Sequence, residues 1–443
     1  MTKCDRAVRN SALRVAVLVT LERGDTAGGH VKCWERFAEA AIHLPEELDL
    51  TVHFLGKTSR VEHLARHVRL SEHPAVFSTR RLRFLDQGAG HTDLAPFHPA
   101  VAAALADSDV VHATDFFSFG RSAMSYARRH GSGLTASIHT DIPQFTRIYA
   151  SAIFRRMAGM RLGGMLSDRL HLQDYIAARL SRAIDERLHR CHQVLASKPE
   201  DYQRLLASLE PNRLALLRRG IDRERFAPRH RDRARLQQLY GIPAGRPVLM
   251  FAGRVDASKS AMVVAETARQ LVQAGEDIQL LVVGDGEDSG RIAALLGERV
   301  CLPGHVSQET LAWLYASADL FLFPSTTEVS PNVVLEAKAS GLPVLVAASH
   351  GGAQFISRPG TDGFVLASQN PADWVSIAEP LLQEPARRHS VGRAARAWID
   401  ASWPSWIEVL RSDLLPAWQR AAQMAYRDHA VRDITPHDES MAA

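Results

Sequence analysis

The sequence predicts an α/β protein built from two doubly wound, largely parallel sheets. Short, β-branched apolar runs alternate with helical patterns of roughly 10–15 residues, as parallel sheets require. That alternation occurs twice, once on each side of a long basic stretch that reads as helical. The composition agrees: of 443 residues, 46% are hydrophobic and 23% charged, enough apolar material for substantial cores. At about 150 residues per domain, the length holds two or three domains, or two large ones.

The first series opens at Leu13–Thr20 (LRVAVLVT), bounded by Gly24 and the pair Gly28-Gly29. A helical pattern, Val31–Ile42, follows, so the order is strand, glycine loop, helix. Leu50–Leu55, Asp109–Ala113 and Leu134–Ile138 read as buried strands, with helices at Pro99–Ala106 and Arg121–His130. The second series places strands at Pro247–Ala252, Gln279–Val283, Val300–Leu302, Leu320–Phe323 and Pro343–Ala347. A join falls near Gly220–Pro228, and the chain from Arg393 onward is helical and rich in tryptophan.

Several function classes drop out at this level. Four cysteines (Cys4, Cys33, Cys191, Cys301) lack CxxC spacing and read as reduced thiols of a cytoplasmic protein, with no disulfide framework or zinc site. The polar N-terminus does not read as a signal peptide, and no run approaches the roughly 18 apolar residues of a spanning helix. A formal charge of +4 does not by itself argue for nucleic acid.

In open α/β sheets ligands bind at the carboxyl ends of strands, so the loops after strands are the places to search. The most informative is Ser325–Gly341, STTEVSPNVVLEAKASG. Ser330-Pro331 reads as the opening of a helix, serine as N-cap and proline at the first helical position. Gly341 reads as its stop. The free N–H groups from Asn332 onward would then form an anion site. Glu328 stands just before that helix and Glu336 inside it. A carboxylate beside an anion site is costly unless it has its own task, such as accepting hydrogen bonds from sugar hydroxyls. The plain alternative is that Glu328 caps the helix and Glu336 is a solvated face residue.

The pattern Glu328-x7-Glu336, set in FPSTTEVSPNVVLEAKASGLPV, resembles the signature of glycosyltransferase family 4, retaining enzymes of the GT-B fold. Many members carry Phe-Gly after the first glutamate; here Ser330-Pro331 stands instead, and Pro331 removes one backbone N–H. The resemblance extends over nearly the whole chain. FAGRVDASKS (Phe251–Ser260) is similar to the family's Gly-Arg-x4-Lys motif, which implies that Gly253, Arg254 and Lys259 meet the donor diphosphate. Alone, Arg254 and Lys259 would read as surface cations on a loop. VVGDGEDSG, with Gly284, resembles the loop after the next strand; its GxG lacks the spacing of a dinucleotide fingerprint. The loop Gly304–Val306 is where the family places the nucleotide base, which implicates Val306. Ser330, Asn332 and Val333 would supply the helix-end contacts to phosphate, Glu328 would orient the sugar and Glu336 would bind the ribose.

In the first half, Gly28-Gly29 resembles the glycine loop that approaches the donor phosphates; a plain tight turn is the alternative. SIHTDIPQF resembles the His-Thr motif of the mannosyltransferase and sulfoquinovosyltransferase branch and implies that His139 touches the donor sugar. RRGIDRERF and DVVHATDFFSFG resemble that branch in outline. The implied reaction is retaining hexosyl transfer from a nucleotide sugar, GDP-mannose or a UDP-hexose. It needs no metal or resident cofactor, and the catalytic groups would be His139, Glu328, Arg254 and Lys259. The implied division is 1–222 as the acceptor-side domain and 223–400 as the donor domain, facing across a cleft. Helices over 401–430 would return to the first domain, followed by a flexible tail, 431–443. A 2-epimerase of the same fold, or a noncatalytic nucleotide-sugar-binding subunit, stays open as an alternative.

Other constellations point elsewhere. Asp107-Ser108-Asp109 precedes a strand and reads as a helix end, not a metal motif. His63 and His67 fall i,i+4 on an expected helix without a third ligand. His189, Cys191 and His192 share an expected helix but diverge around it. Tyr149–Leu172 mixes apolar residues with arginines and reads either as a segment lying on an anionic membrane or as a helix packed on its own domain. The modest total charge hides an asymmetry: Asp141–Tyr240 holds 20 Lys+Arg against 11 Asp+Glu. No aromatic interleaving accompanies those cations, so nucleic acid is not an expected partner. A lipid or glycan acceptor at the inner face of the cell membrane is.

Overall fold

The computed structural model describes residues 12–24, 27–81, 91–138, 172–328, 330–348 and 351–434. The chain divides into two compact units. One comprises Met1–Arg218 with Ile407–Ala443, the other Arg219–Trp406.

The first unit holds an eight-stranded sheet in the order β3-β4-β2-β1-β5-β6-β7-β8. Its strands are β1 (Leu13–Glu22), β2 (Leu48–Gly56), β3 (Arg60–Ala65), β4 (Val68–Pro74), β5 (Val110–Ala113), β6 (Gly133–Ile138), β7 (Gln193–Ala196) and β8 (Leu214–Leu216). All neighbours pair in parallel except β3 and β4, which form an antiparallel hairpin. Val15–Val19 are buried along β1, as a strand covered on both faces must be. Helix Gly29–Ala41 turns Val31, Trp34, Phe37 and Ala38 inward at helical spacing. The C-terminal helix Leu415–Ile434 packs on β6. Gly133 permits that approach, because a Cβ there would lie 2.8 Å from the Ala421 backbone.

The second unit holds six strands in the order β11-β10-β9-β12-β13-β14, all parallel. They are β9 (Val248–Ala252), β10 (Gln279–Val283), β11 (Val300–Gly304), β12 (Leu320–Phe323), β13 (Val344–Ala347) and β14 (Phe364–Leu366). From β9 the chain runs outward to β10 and β11, then returns to add β12 on the other side. That reversal beside β9 is the topological switch point, where doubly wound sheets open a crevice at the strands' carboxyl ends.

Both expected sheets are present, and three expectations are corrected. His63 lies on strand β3, not on a helix, and the Nε2 of His67 meets the carbonyl of Ala41 at 3.0 Å. The helix expected to carry His189, Cys191 and His192 ends at Leu188. The Nδ1 of His192 accepts the Leu134 N–H at 2.9 Å. The long basic stretch read as helical contains β7 and β8.

Candidate functional site

The site in the second unit is assembled from loops at the carboxyl ends of β9, β10 and β12. After β9 the chain turns at Gly253, whose φ of 144° favours glycine. Asp256 then caps the single turn Ala257–Lys259, its carboxylate accepting from the Lys259 N–H at 3.2 Å. Ser260 follows at φ 54°, the one positive-φ residue other than glycine among the described residues. Helix Ala261–Gln273 starts directly after it. A non-glycine residue held in this region costs of order 1–3 kcal/mol, and such strain clusters at functional sites.

The neighbouring loop after β10 is stitched to this one. The Gly253 N–H donates to the Val283 carbonyl at 2.9 Å, and the Val255 N–H to the Asp285 carbonyl at 3.0 Å. Gly284 has φ 125°, and a Cβ there would stand 1.9 Å from the Gly253 carbonyl oxygen. Only glycine lets these two backbones meet.

The loop after β12 lies on the same turn. Thr327 Oγ1 donates to the Ser258 carbonyl at 2.9 Å. Lys259 Nζ pairs with Glu328 Oε1, the lysine side chain 13% exposed and the glutamate 32%. Two motifs 69 residues apart thus meet through their predicted catalytic side chains. Arg254 stays nearer solvent, its NH2 donating to Ser258 Oγ at 3.0 Å and its NH1 lying 3.4 Å from the Asp256 carboxylate. The Glu328 carbonyl accepts the Gly351 N–H at 2.8 Å, so both ends of this residue are held.

Helix Asn332–Ala339 begins one residue later than the sequence suggests. Pro331, with extended φ −75° and ψ 107°, occupies the N-cap, and no side chain caps the first turn. Ser330 is therefore not the cap, and proline cannot donate there. The uncapped amides of Asn332 and Val333 open the helix, and the buried Asn332 Oδ1 has no hydrogen-bond partner among the described residues. Glu336 is half-buried on this helix beside Tyr315. Burial and the neighbouring Glu336 carboxylate hold the Tyr315 phenol well above its ordinary range. Val306 is half-buried just past the Gly304 turn.

Gly28 and Gly29 lie in the first unit, at the start of helix Gly29–Ala41. Gly28 is the N-cap with φ −66° and ψ 167°, extended backbone open to any residue. Among the described residues, a Cβ at either position would meet nothing within 4 Å. Neither the turn nor the packing of those residues requires glycine here. His139 and nearly all of Tyr149–Leu172 lie outside the described residues. Among the described residues, no group of three or more His, Cys, Asp or Glu is placed to hold a metal ion.

Sequence reasoning missed two features of this region. Lys338 on helix Asn332–Ala339 is wholly buried against Asp362, where a helix lysine ordinarily reads as solvated. A cavity of about 490 Å³ also lies at the opposite, amino-terminal ends of β12 and β13, lined by Arg231, Asp319, Gly341 and Arg388 among others. Its place on the far edge separates it from the loops just described.

A family model described as glycosyl transferases group 1 matches residues 232–398. The chain is 30% identical over 354 residues to a D-inositol 3-phosphate glycosyltransferase of Catenulispora acidiphila, covering 77% of this chain and 78% of the relative. It is 29% identical over 299 residues to a GDP-mannose-dependent alpha-mannosyltransferase of Mycolicibacterium smegmatis, covering 67% of this chain and 71% of the relative. Among solved structures, sucrose-phosphate synthase of Thermosynechococcus elongatus aligns over 96% of this chain and 100% of its own, with a TM-score of 0.65 and 18% identity. That last likeness is one of fold.

Proposed function

This chain belongs to glycosyltransferase family 4, the glycosyl transferases group 1, and we propose that it moves a hexosyl group from a nucleotide sugar to an acceptor with retention of anomeric configuration. The observation that carries this reading is the meeting of Lys259 and Glu328 at the switch point of the second unit. A leaving nucleoside diphosphate gains negative charge as the glycosidic bond breaks. Preorganised cations stabilise that charge with little reorganisation, and removal of one such electrostatic group costs about 10²–10³ in rate. Lys259 and Arg254 take this task, so that no metal ion is needed for it. The uncapped amides of Asn332 and Val333 add a helix N-terminus directed at phosphate.

Glu328 has the other half of the work. With its backbone held by Gly351 and its side chain by Lys259, it is a pre-oriented acceptor for sugar hydroxyls. When the donor arrives, the Lys259 ammonium turns to the diphosphate and the carboxylate to the hexose. Glu336 holds the ribose and Val306 lies against the base, while Gly253 and Gly284 let the loops after β9 and β10 join beside the phosphates. The resemblance of their motifs supports Gly28 and Gly29 as contacts of the donor phosphates and His139 as a contact of the donor sugar. The transition state is oxocarbenium-like, as in glycoside hydrolysis. The acceptor's proton passes to the departing phosphate during attack on the same face.

The mannosyltransferase relative supports GDP-mannose as donor, with a UDP-hexose as the alternative. The acceptor fits a lipid, a lipid-linked glycan or a polysaccharide. The excess of cations over Asp141–Tyr240 supports an anionic surface for it, as on the inner face of a cell membrane. A thermal-shift panel of nucleotides and nucleotide sugars tests the donor assignment. A ligand at one hundred times its Kd stabilises by about 2.7 kcal/mol. GDP-mannose or one UDP-hexose should raise Tm, and Lys259→Ala should lose most of that rise. A panel with no responding nucleotide sugar contradicts the assignment.

A further inference from the structure

Lys338 and Asp362 form an ion pair at 2.9 Å in which both side chains are 0% exposed. Burying two charges is expensive, and such a pair is weak evidence for stability; apolar replacements often do as well. Its arrangement is more specific than stability requires. Lys338 Nζ also donates to the Phe355 carbonyl, and the Trp398 ring covers it at 4.0 Å. The Asp362 carboxylate accepts from the Ser357 N–H at 3.1 Å and the Arg358 N–H at 2.7 Å. The pair therefore closes residues 355–362 onto helix Asn332–Ala339.

The same segment reaches the reaction site. From Phe355 the chain runs back through the turn Ala353–Phe355, closed by the Phe355 N–H on the Gly352 carbonyl at 3.2 Å, to Gly351. The Gly351 N–H donates to the Glu328 carbonyl at 2.8 Å. Hydrogen bonds at both ends of the short backbone stretch 351–355 thus join the interior of this helix to the backbone of Glu328. We propose that the Lys338–Asp362 pair is a positioning element that sets Glu328 through Gly351. This rests on the reading of Glu328 as the sugar-orienting carboxylate. Neither charged group approaches donor or acceptor; both act through the loop.

The test uses the full-length double variant Lys338→Met with Asp362→Asn. It removes both charges and keeps an amide oxygen for the Arg358 N–H, giving up the Ser357 bond, and it avoids the unpaired buried carboxylate that Lys338→Met alone would strand. Hydrogen exchange at the Gly351 amide is read first. We expect it to quicken about tenfold or more, while amides of β9 and β10 keep their wild-type rates. Unchanged Gly351 exchange overturns the proposal. Transfer is read second, with and without Glu328→Ala. The double variant should lower kcat about tenfold with little change in donor KM, since small misplacement of reacting groups costs rate steeply. In the Glu328→Ala background the same double variant should cost less than about twofold, because groups acting through one residue are not additive. Losses that multiply overturn the proposal. Full activity of Glu328→Ala alone sinks the reading of Glu328 instead, and the Gly351 exchange still decides the brace.

Discussion

Glycine has opposite meanings at two places in this chain, and the difference can be measured. Gly284 sits at φ 125° with the Gly253 carbonyl oxygen 1.9 Å from any added Cβ. Gly284→Ala must both strain the backbone and push two loops apart, so a loss of about 2–4 kcal/mol is expected by urea titration. Gly28 and Gly29 have no such constraint: among the described residues their added Cβ atoms meet nothing within 4 Å. Gly28→Ala and Gly29→Ala should keep the unfolding midpoint within about 0.5 kcal/mol of wild type while raising donor KM. A marked loss of stability at Gly28 would return it to an ordinary turn. At this same scale Arg254, Lys259, Glu328 and Glu336 stood out through the resemblance of their motifs to the family; on spacing alone they read as surface cations, a helix cap and a solvated face residue. It misjudged Ser330, because serine before proline resembles a cap whether or not its backbone supplies one. It could not show Lys338, whose burial depends on Asp362, 24 residues further on.

Among the elements, the first unit carries a chemical liability inside its sheet. His53 and His73 stack with ring nitrogens 3.0 Å apart on neighbouring strands β2 and β4. His112 on β5 is enclosed by Thr135, Ser137 and Trp418. Burial chiefly lowers all three, His53 to about 3, helped by His73 and Arg69, and His112 to about 3, helped by His30. His73 falls to about 4, helped by His98. The folded chain holds these imidazoles neutral, whereas the unfolded chain takes up protons below about 6.5. Their contribution is present above that pH and drains away as pH falls toward 3–4. Each unit costs about 1.4 kcal/mol per imidazole over that window. Urea midpoints for the first unit should therefore fall steeply between pH 7 and 5, with uptake of more than one proton on unfolding. A flat profile would contradict the buried, neutral assignment.

Strands were legible where burial made them continuous: Gln279–Val283 and Leu320–Phe323 occupy the bounds that their apolar runs suggest. The hairpin of β3 and β4 was not, because the edge strand Arg60–Ala65 is polar and largely exposed, which is how edges avoid pairing with other chains. β8 and β14 span only three residues each, too few for a period to emerge, and β7 (QVLA) closely follows a helix and merged with its pattern.

On the scale of the whole molecule, both units have the doubly wound form that GT-B glycosyltransferases use, and the chemistry can be laid on loops because the sheets beneath are closed cores. The two-sheet plan was readable because each series of strands repeats at regular spacing. The acceptor was not, since its cues sit in a basic segment whose pattern suits both a membrane face and an internal helix. Among the described residues no helix is long and apolar enough to cross a membrane. The central claim is retaining hexosyl transfer with Glu328 at the sugar. Its most direct test incubates the enzyme with labelled GDP-mannose, or the UDP-hexose that the thermal panel selects, and an acceptor panel of membrane lipid extract, lipid-linked glycan and polysaccharide. The anomeric proton of the product is then read by NMR. The account predicts an α-linked product from the α-configured donor, and a loss of about 10²-fold or more for Glu328→Ala. An inverted product, an epimerised donor without transfer, or near-wild-type turnover in Glu328→Ala would contradict it.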